Sequence, residues 1–383
     1  MTGTVHPSWA VYDLGRLAGN LAEVQRRVGP GQNIFAAIKG NAYGHGALPV
    51  ARALERGGVT ALMTGSYEEA SLLRANGVCL PVVMFAGALP EGIGELTAAG
   101  LIPTIVDMAG AMAAAAKADD TPVQIYVKAD MGLGRLGVVM DEIEGFLRAL
   151  STMPGLRVAG LYTHLPFGDQ AGCEWARIRF AAFDDLLVRL ERAGLLPPVT
   201  QAGASSSVAA GLTDQANAVC VGHLLFGLSP FAGEPVGDLS AFRPVLCEVG
   251  TQLVQVTEHR QGHDLAIAGA FGIREGKRIG VAPMGAANGL QRPIPGSTPC
   301  AIIKGQRVPV IAVSLEHLTL DLDDVGDAQV GDEALLLGGQ GAEAISLEEL
   351  AGWSGLPCLD TVMALSQRLD ARYRGGACKE VML

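Results

Sequence analysis

The sequence predicts a (β/α)8 barrel followed by a second, mainly β domain. Three observations carry this. Eight short apolar runs alternate with helical patterns, at Ile34–Ile38, Ala61–Thr64, Pro81–Phe85, Ile102–Val106, Val123–Val127, Val158–Tyr162, Val199–Ala202 and Ala218–Val221. The residues best suited to chemistry, Lys39, Lys128 to Asp130, His164, Ser205 to Ser207 and Gly222, follow those runs. A barrel builds its site at the C-terminal ends of its strands, so they should converge. After Pro230 the texture changes to short alternating runs rich in Val, Ile, Thr and Gly, such as Gln252–Val256 and Val308–Val313, which read as antiparallel strands.

Element by element, Asp13 can cap a first helix whose apolar residues Leu14, Leu17, Leu21, Val24 and Val28 share one face. The eight runs follow, with the Ala-rich stretch Ala109–Ala118 among the helices between them. Phe242 to Leu337 reads as the β domain, and Leu347–Leu356 and Asp360–Leu369 as two terminal helices. The expected division is residues 1–233 for the barrel and 234–383 for the β domain, with the linker near Gly233–Asp238. A chain of 383 residues suits two cores better than one.

Composition narrows the function classes. Hydrophobic residues make up 49% and charged residues 17%, which favours a large core over disorder. A formal net charge of −11 without a basic cluster argues against nucleic acid as a partner. No stretch approaches the roughly 18 uninterrupted apolar residues that a membrane helix needs. Met1 to Val11 lacks a basic start followed by an apolar run, so no signal peptide is expected. Seven scattered cysteines without a CxxC pair fit reduced thiols in the cytoplasm.

The most informative segment is Lys39-Gly40-Asn41-Ala42-Tyr43-Gly44-His45-Gly46. A lysine ending a buried strand is partly desolvated, its pKa falls, and it becomes a nucleophile or base of the Schiff-base kind. The glycines let the backbone turn, and Tyr43 can aim its hydroxyl at the same space. On this segment alone, a solvated loop lysine is an equal reading. Lys128-Ala129-Asp130-Met131-Gly132-Leu133-Gly134-Arg135-Leu136-Gly137 formally contains GxGxxG, but four βα units precede it, which disfavours a dinucleotide fingerprint. A glycine-flanked Arg135 fixed near a strand end can instead hold a carboxylate or phenolate oxygen. His164 ends the sixth run and is either structural or catalytic. Ser205 to Ser207 and Gly222-His223 form either a phosphate site or a plain turn.

These segments together resemble the alanine racemase family, enzymes that use pyridoxal 5′-phosphate (PLP) and combine a barrel with a β domain. The stretch 128–137 looks like the family's KxDxGxxRxG. Cys220-Val221-Gly222-His223-Leu224-Leu225-Phe226-Gly227-Leu228-Ser229-Pro230 looks like RxGxxxYGLxP, and Pro283-Met284-Gly285 and Ser366-Gln367-Arg368 also match. The resemblance implies that Lys39 carries the cofactor and acts as a base. Arg135 would contact the substrate carboxylate and the cofactor oxygen, with Lys128, often carbamylated in the family, holding Arg135. An unmodified Lys128 would repel Arg135, so a modification or an acidic partner is expected. His164 would lie near the cofactor ring, and Ser206, Gly222 and His223, helped by Tyr43, would hold its phosphate. It also implies a homodimer in which the partner's β domain completes each site. No metal is expected.

Three positions depart from the family. Ala286 stands where a catalytic tyrosine is expected, Cys220 where an arginine faces the pyridine nitrogen, and Leu359 where a second tyrosine touches the phosphate. Ala312 and Leu315-Glu316 replace an arginine and Met-Asp that line the substrate entrance. Without the tyrosine, the second face of Cα has no base of its own. A thiol at Cys220 no longer keeps the pyridine nitrogen unprotonated, which widens the accessible chemistry. The leading expectation is therefore carbanion chemistry at Cα of an amino acid with one base, such as aldol cleavage of a β-hydroxy amino acid, with His164 taking the hydroxyl proton. The alternatives are an amino-acid (alanine) racemase in which His164, His317 or water replaces the tyrosine, and a non-catalytic PLP-binding protein.

Overall fold

The computed structural model describes residues 7–212, 214–259, 276–365 and 368–375. The segment 260–275, inside the expected β domain, and Ser366-Gln367 of the matching tail lie outside the described residues. The chain divides into two compact units, with boundaries at Arg16/Leu17 and Arg243/Pro244.

The unit from Leu17 to Arg243 is the barrel. Its strands are Asn33–Ala37, Ala61–Thr64, Val82–Met84, Ile102–Ile105, Val123–Asp130, Leu156–Tyr162, Val199–Ala204 and Ala218–Val221, one for each apolar run. Each pairs in parallel with the next, and the eighth pairs with the first, closing the ring. Closure leaves no unpaired edge within the ring. A two-residue strand, Val138–Val139, pairs with the end of the fifth strand. Phe35, Met63, Val83, Tyr126 and Tyr162 fill the interior. Gly160 is required there, because a Cβ would sit 2.2 Å from the Tyr126 ring. Tyr126 thus occupies the volume that a side chain on the sixth strand would claim.

Among the described residues the other unit holds a ten-stranded sheet. Most of its pairs are antiparallel, including the hairpin between Cys300–Ile303 and Gln306–Val313. The expected division at residue 233 differs from this in two ways. The boundary lies ten residues later, at Arg243. The strand Trp9–Asp13 also pairs with Leu246–Gln252 and with Asp370–Arg374, so this early segment is built into the β sheet. Trp9, Ala10 and Tyr12 are buried there, and Tyr12 stacks on Tyr373 at 5.4 Å. Among the described residues the second terminal helix spans Cys358–Leu365, beginning before the expected Asp360, and Asp370–Arg374 is a strand.

Among the described residues, no helix is long and apolar enough to cross a membrane.

Candidate active site

A cavity of about 410 Å3 opens at the C-terminal ends of the barrel strands. Lys39, Tyr43, Lys128, Arg135, His164, Ser205, Ser206, Cys220, Gly222 and His223 all line it, so groups far apart in sequence do converge.

Lys39 leaves the first strand and opens a single left-handed turn. Gly40, Asn41, Ala42 and Tyr43 all have φ between 54° and 63°. Three of these are not glycine, and left-handed backbone costs roughly 1–2 kcal/mol for each such residue. The turn is pinned from outside. Asn41 N–H donates to Glu69 Oε1 at 2.5 Å, the other carboxylate oxygen of Glu69 accepts from Thr64 at 2.6 Å, and Asn41 Oδ1 accepts from Ala47 N–H at 2.7 Å. The turn carries the buried Tyr43 ring toward the eighth strand. A Cβ on Gly222 would meet the Tyr43 hydroxyl at 2.2 Å, so glycine is needed at 222.

The Lys39 amine is open to the cavity but stands over the rings of Tyr43 and Phe85, at 5.8 and 5.9 Å. Burial among such groups lowers its pKa. The neighbouring Cys220 works against this, and the Arg135 cation adds to it. The Cys220 thiol is pushed up to about 12, chiefly by burial, so it is neutral at physiological pH. Burial lowers both histidines to about 4. Lys39, Lys128, Arg135 and His223 press further on His164, and Lys39 alone presses further on His223. Both imidazoles are therefore neutral near pH 7 and able to accept protons.

Arg135 sits on a loop shaped by Asp130. Oδ1 of Asp130 accepts from the N–H groups of Gly132, Leu133 and Gly134 at 3.0, 2.9 and 3.1 Å. Gly132, Gly134, Leu136 and Gly137 all have positive φ. A Cβ on Gly137 would lie 2.7 Å from Asp130 N. The GxGxxG spacing thus serves a tight loop around an aspartate. Lys128, 6% exposed, donates to the Arg135 carbonyl at 3.4 Å. Burial and the Arg135 cation lower its pKa, and Asp130 is the acidic neighbour that partly offsets them.

The three serines divide. Ser205 Oγ accepts from Gly222 N–H at 3.1 Å, tying the seventh loop to the eighth, and Ser206 Oγ accepts from Phe167 N–H at 3.3 Å. Ser207 does not reach the cavity, because its hydroxyl is spent on the backbone of Ala204.

Other predicted positions belong to the β unit. Ala286 and Ala287 N–H donate to the carbonyls of Ser314 and Leu315 at 2.9 and 2.7 Å. The segment expected to hold the tyrosine therefore packs against the expected entrance residues. Leu315 is exposed, and it, His317, Ala312 and Leu359 all belong to the β unit. Sequence reasoning missed Phe85, Tyr162, Phe167, Gln201 and Pro230, which also line it. For Phe85, Tyr162 and Phe167 a position at or shortly beyond a strand end was the available signal, whereas Gln201 lies inside the seventh strand and Pro230 well past the eighth.

Residues 12–230 match the family described as alanine racemase, N-terminal domain, and residues 246–373 match alanine racemase, C-terminal domain. An alanine racemase of Sorangium cellulosum is 32% identical over 97% of this chain and 100% of its own length, and one of Syntrophobacter fumaroxidans is 30% identical over 96% and 98%. Alanine racemase of Clostridium difficile 630 superposes with a TM-score of 0.86 at 22% identity over 98% of both chains, and that of E. faecalis with 0.85 at 23% over 97% and 99%. Two matched domains and relatives aligned along nearly the whole chain establish the kinship: this protein belongs to the alanine racemase family, whose enzymes use pyridoxal 5′-phosphate.

Proposed function

We propose that the protein is a PLP-dependent enzyme acting at Cα of an amino acid, with Lys39 as its one protein base at Cα. The residues suit the cofactor. A lysine of lowered pKa suits an aldehyde, and the hydroxyls of Ser205, Ser206 and Tyr43 with His223 suit a phosphate. Gly222, against the Tyr43 hydroxyl, keeps side chains out of that end, and the neutral Cys220 thiol suits a pyridine nitrogen without forcing its proton off. Bound PLP supplies an electron sink for charge developing at Cα.

The chain's own groups divide the remaining work. Arg135 holds the substrate carboxylate, and Asp130 and Lys128 hold Arg135. Lys39 moves the proton at Cα on its own face. His164, neutral and ringed by cations, accepts a proton from a substrate β-hydroxyl. With a β-hydroxy amino acid the Cα–Cβ bond breaks, the β fragment leaves as an aldehyde, and a proton returned to Cα gives glycine. Ala286 carries this reading, since a methyl group neither gives nor takes a proton on the opposite face.

A second reading is amino-acid racemisation with His164, His317 or water as the other base. The relatives' shared name favours it. The two separate in D2O. A single alanine enantiomer is expected to gain deuterium at Cα with retention, and a β-hydroxy amino acid to release aldehyde. Deuterated mirror-image alanine forming as fast as exchange would overturn the one-base reading. Ala286→Tyr is expected to raise racemisation relative to exchange. A protein that takes up PLP yet exchanges no Cα proton of any amino acid would be a binding protein only. The family pattern further suggests a cytoplasmic homodimer whose partner β domain completes each site. Sedimentation at micromolar concentration tests the dimer, and a monomeric holoenzyme would refute it.

A further inference from the structure

The cavity has a polar part and an apolar one. In the reading above, Lys39, Arg135, His164 and the serine and tyrosine hydroxyls serve the cofactor and the substrate carboxylate. Two further polar groups are already engaged, the Tyr162 hydroxyl with Thr104 at 3.0 Å and Gln201 Nε2 with the Gly203 carbonyl at 2.8 Å. The apolar part includes Phe85, Ala86, Leu136, Pro166, Phe167 and Pro230, and among the described residues no Asp or Glu lines the cavity. Phe85, just past the third strand, comes up to the chemistry: Lys39 Nζ stands 5.9 Å from its ring centroid. The ring is fixed from behind. Phe85 N–H donates to the Thr64 carbonyl at 3.1 Å, and a Cβ on Gly65 would lie 3.0 Å from the Ala86 side chain and 3.8 Å from the Phe85 ring. Two residues on, a Cβ on Gly87 would lie 3.2 Å from the Leu136 side chain, so the Phe85 loop meets the loop that carries Arg135. An apolar wall therefore runs from Lys39, through Phe85 and Leu136, to Arg135.

We infer that this wall receives the substrate's side chain, and that the substrate is an amino acid with an aryl or similarly bulky apolar group on Cβ. The inference rests on the PLP reading of the cavity and names the substrate class within it. Lys39 acts at Cα, so Cα comes beside its amine, while Arg135 fixes the carboxylate. A ring on Cβ then falls within the roughly 4.5–7 Å over which aromatic rings pair, against the Phe85 face. A methyl side chain stops at Cβ and leaves that face bare. One methylene in an apolar pocket is worth roughly tenfold or more in discrimination, so a ring is preferred over a methyl by at least about that factor. A charged side chain would lose its hydration there without gaining an ion pair. No carboxylate lines the cavity among the described residues, and Lys128, 6% exposed, already donates to the Arg135 carbonyl. In the one-base reading the fitting substrate is β-phenylserine. Its Cα–Cβ bond breaks, the electron pair stays at Cα and takes a proton, and the hydroxyl proton passes to His164. The products are glycine and benzaldehyde, with no oxidant or reductant needed.

α-Methyl amino acids are the probes, because they have no Cα hydrogen to lose and report binding alone. The PLP-loaded full-length protein is titrated with α-methylphenylalanine and with 2-aminoisobutyrate, its methyl counterpart, following the cofactor absorption band. The aryl ligand is expected to bind at least about tenfold tighter, and α-methylaspartate more weakly than the aryl ligand. Phe85→Ala should bring the aryl-to-methyl ratio to within about threefold of one, whereas Phe85→Tyr, which keeps the ring, should retain the preference. In turnover, kcat/KM for benzaldehyde release from β-phenylserine should exceed that for acetaldehyde release from threonine by at least about tenfold. In wild type, 2-aminoisobutyrate binding as tightly as α-methylphenylalanine would overturn the inference and leave the cofactor reading standing. An aryl preference that survives Phe85→Ala intact would overturn it too. Tight aryl binding without any aldehyde release would support the substrate class and overturn the aldol reading alone. Failure of wild type to take up PLP would remove the cofactor reading, and this inference with it.

Discussion

Lys39 and Arg135 reach the same cavity on two loops that share a conformation and differ in composition. Both use left-handed backbone, and both are tied to a carboxylate that accepts backbone N–H groups, Glu69 in one and Asp130 in the other. The loop after the fifth strand reaches that conformation mainly with glycines, at little steric cost. The turn after the first strand reaches it with Asn41, Ala42 and Tyr43, at a cost of several kcal/mol by the usual left-handed penalty. The strained turn holds the lysine proposed to carry the cofactor and aims a ring, whereas the relaxed one presents a guanidinium. Strain is tolerated where packing over-determines the chain: Ala42 and Tyr43 are buried, while Gly132, Gly134 and Arg135 are exposed.

Several substitutions would break or sharpen this contrast. Lys39→Ala should have the largest effect, removing the cofactor absorption band and cutting Cα proton exchange by at least about 10^3-fold. A variant that keeps the band would refute the role of Lys39. Gly137→Ala should come next. Its methyl would collide with the Asp130 backbone, so a loss of about 2 kcal/mol in urea unfolding is expected, with weaker binding of the amino acid. Glu69→Gln and Asp130→Asn should each lose about 1–2 kcal/mol of charged hydrogen bonding. Their functional effects should differ, with Glu69→Gln speeding cofactor loss and Asp130→Asn raising KM, and identical kinetic profiles would erase the distinction. The smallest effect is expected of Ala42→Gly. In a right-handed helix that change costs about 1 kcal/mol, whereas here relief of the left-handed penalty should offset the lost methyl and leave unfolding within about 0.5 kcal/mol of wild type.

The barrel was legible because each strand is a short apolar run between turn signals, and because strand ends gather the reactive side chains. Trp9–Asp13 was missed for an instructive reason. Asp13 reads as a helix cap, which drew attention forward to Leu14 and away from the apolar Trp9-Ala10-Val11-Tyr12. That run finds its partners more than 230 residues later, a pairing no local pattern carries. Lys39, Arg135 and His164 were legible as strand-end residues. The left-handed turn was not, since Asn41, Ala42 and Tyr43 have no intrinsic leaning toward it as a set; Glu69, from the next βα unit, secures it.

The sealed barrel floor has a consequence for traffic. Phe35, Met63, Tyr126 and Tyr162 fill the axis below the cavity, and Tyr162 is further fixed by a 3.0 Å hydrogen bond to Thr104. Among the described residues these side chains pack the barrel axis below the cavity, which leaves the mouth as the route both in and out. A reaction that splits one molecule into two would then discharge its fragments in sequence, and the second to depart would compete with the next substrate. Product-inhibition patterns would carry the signature of that single doorway.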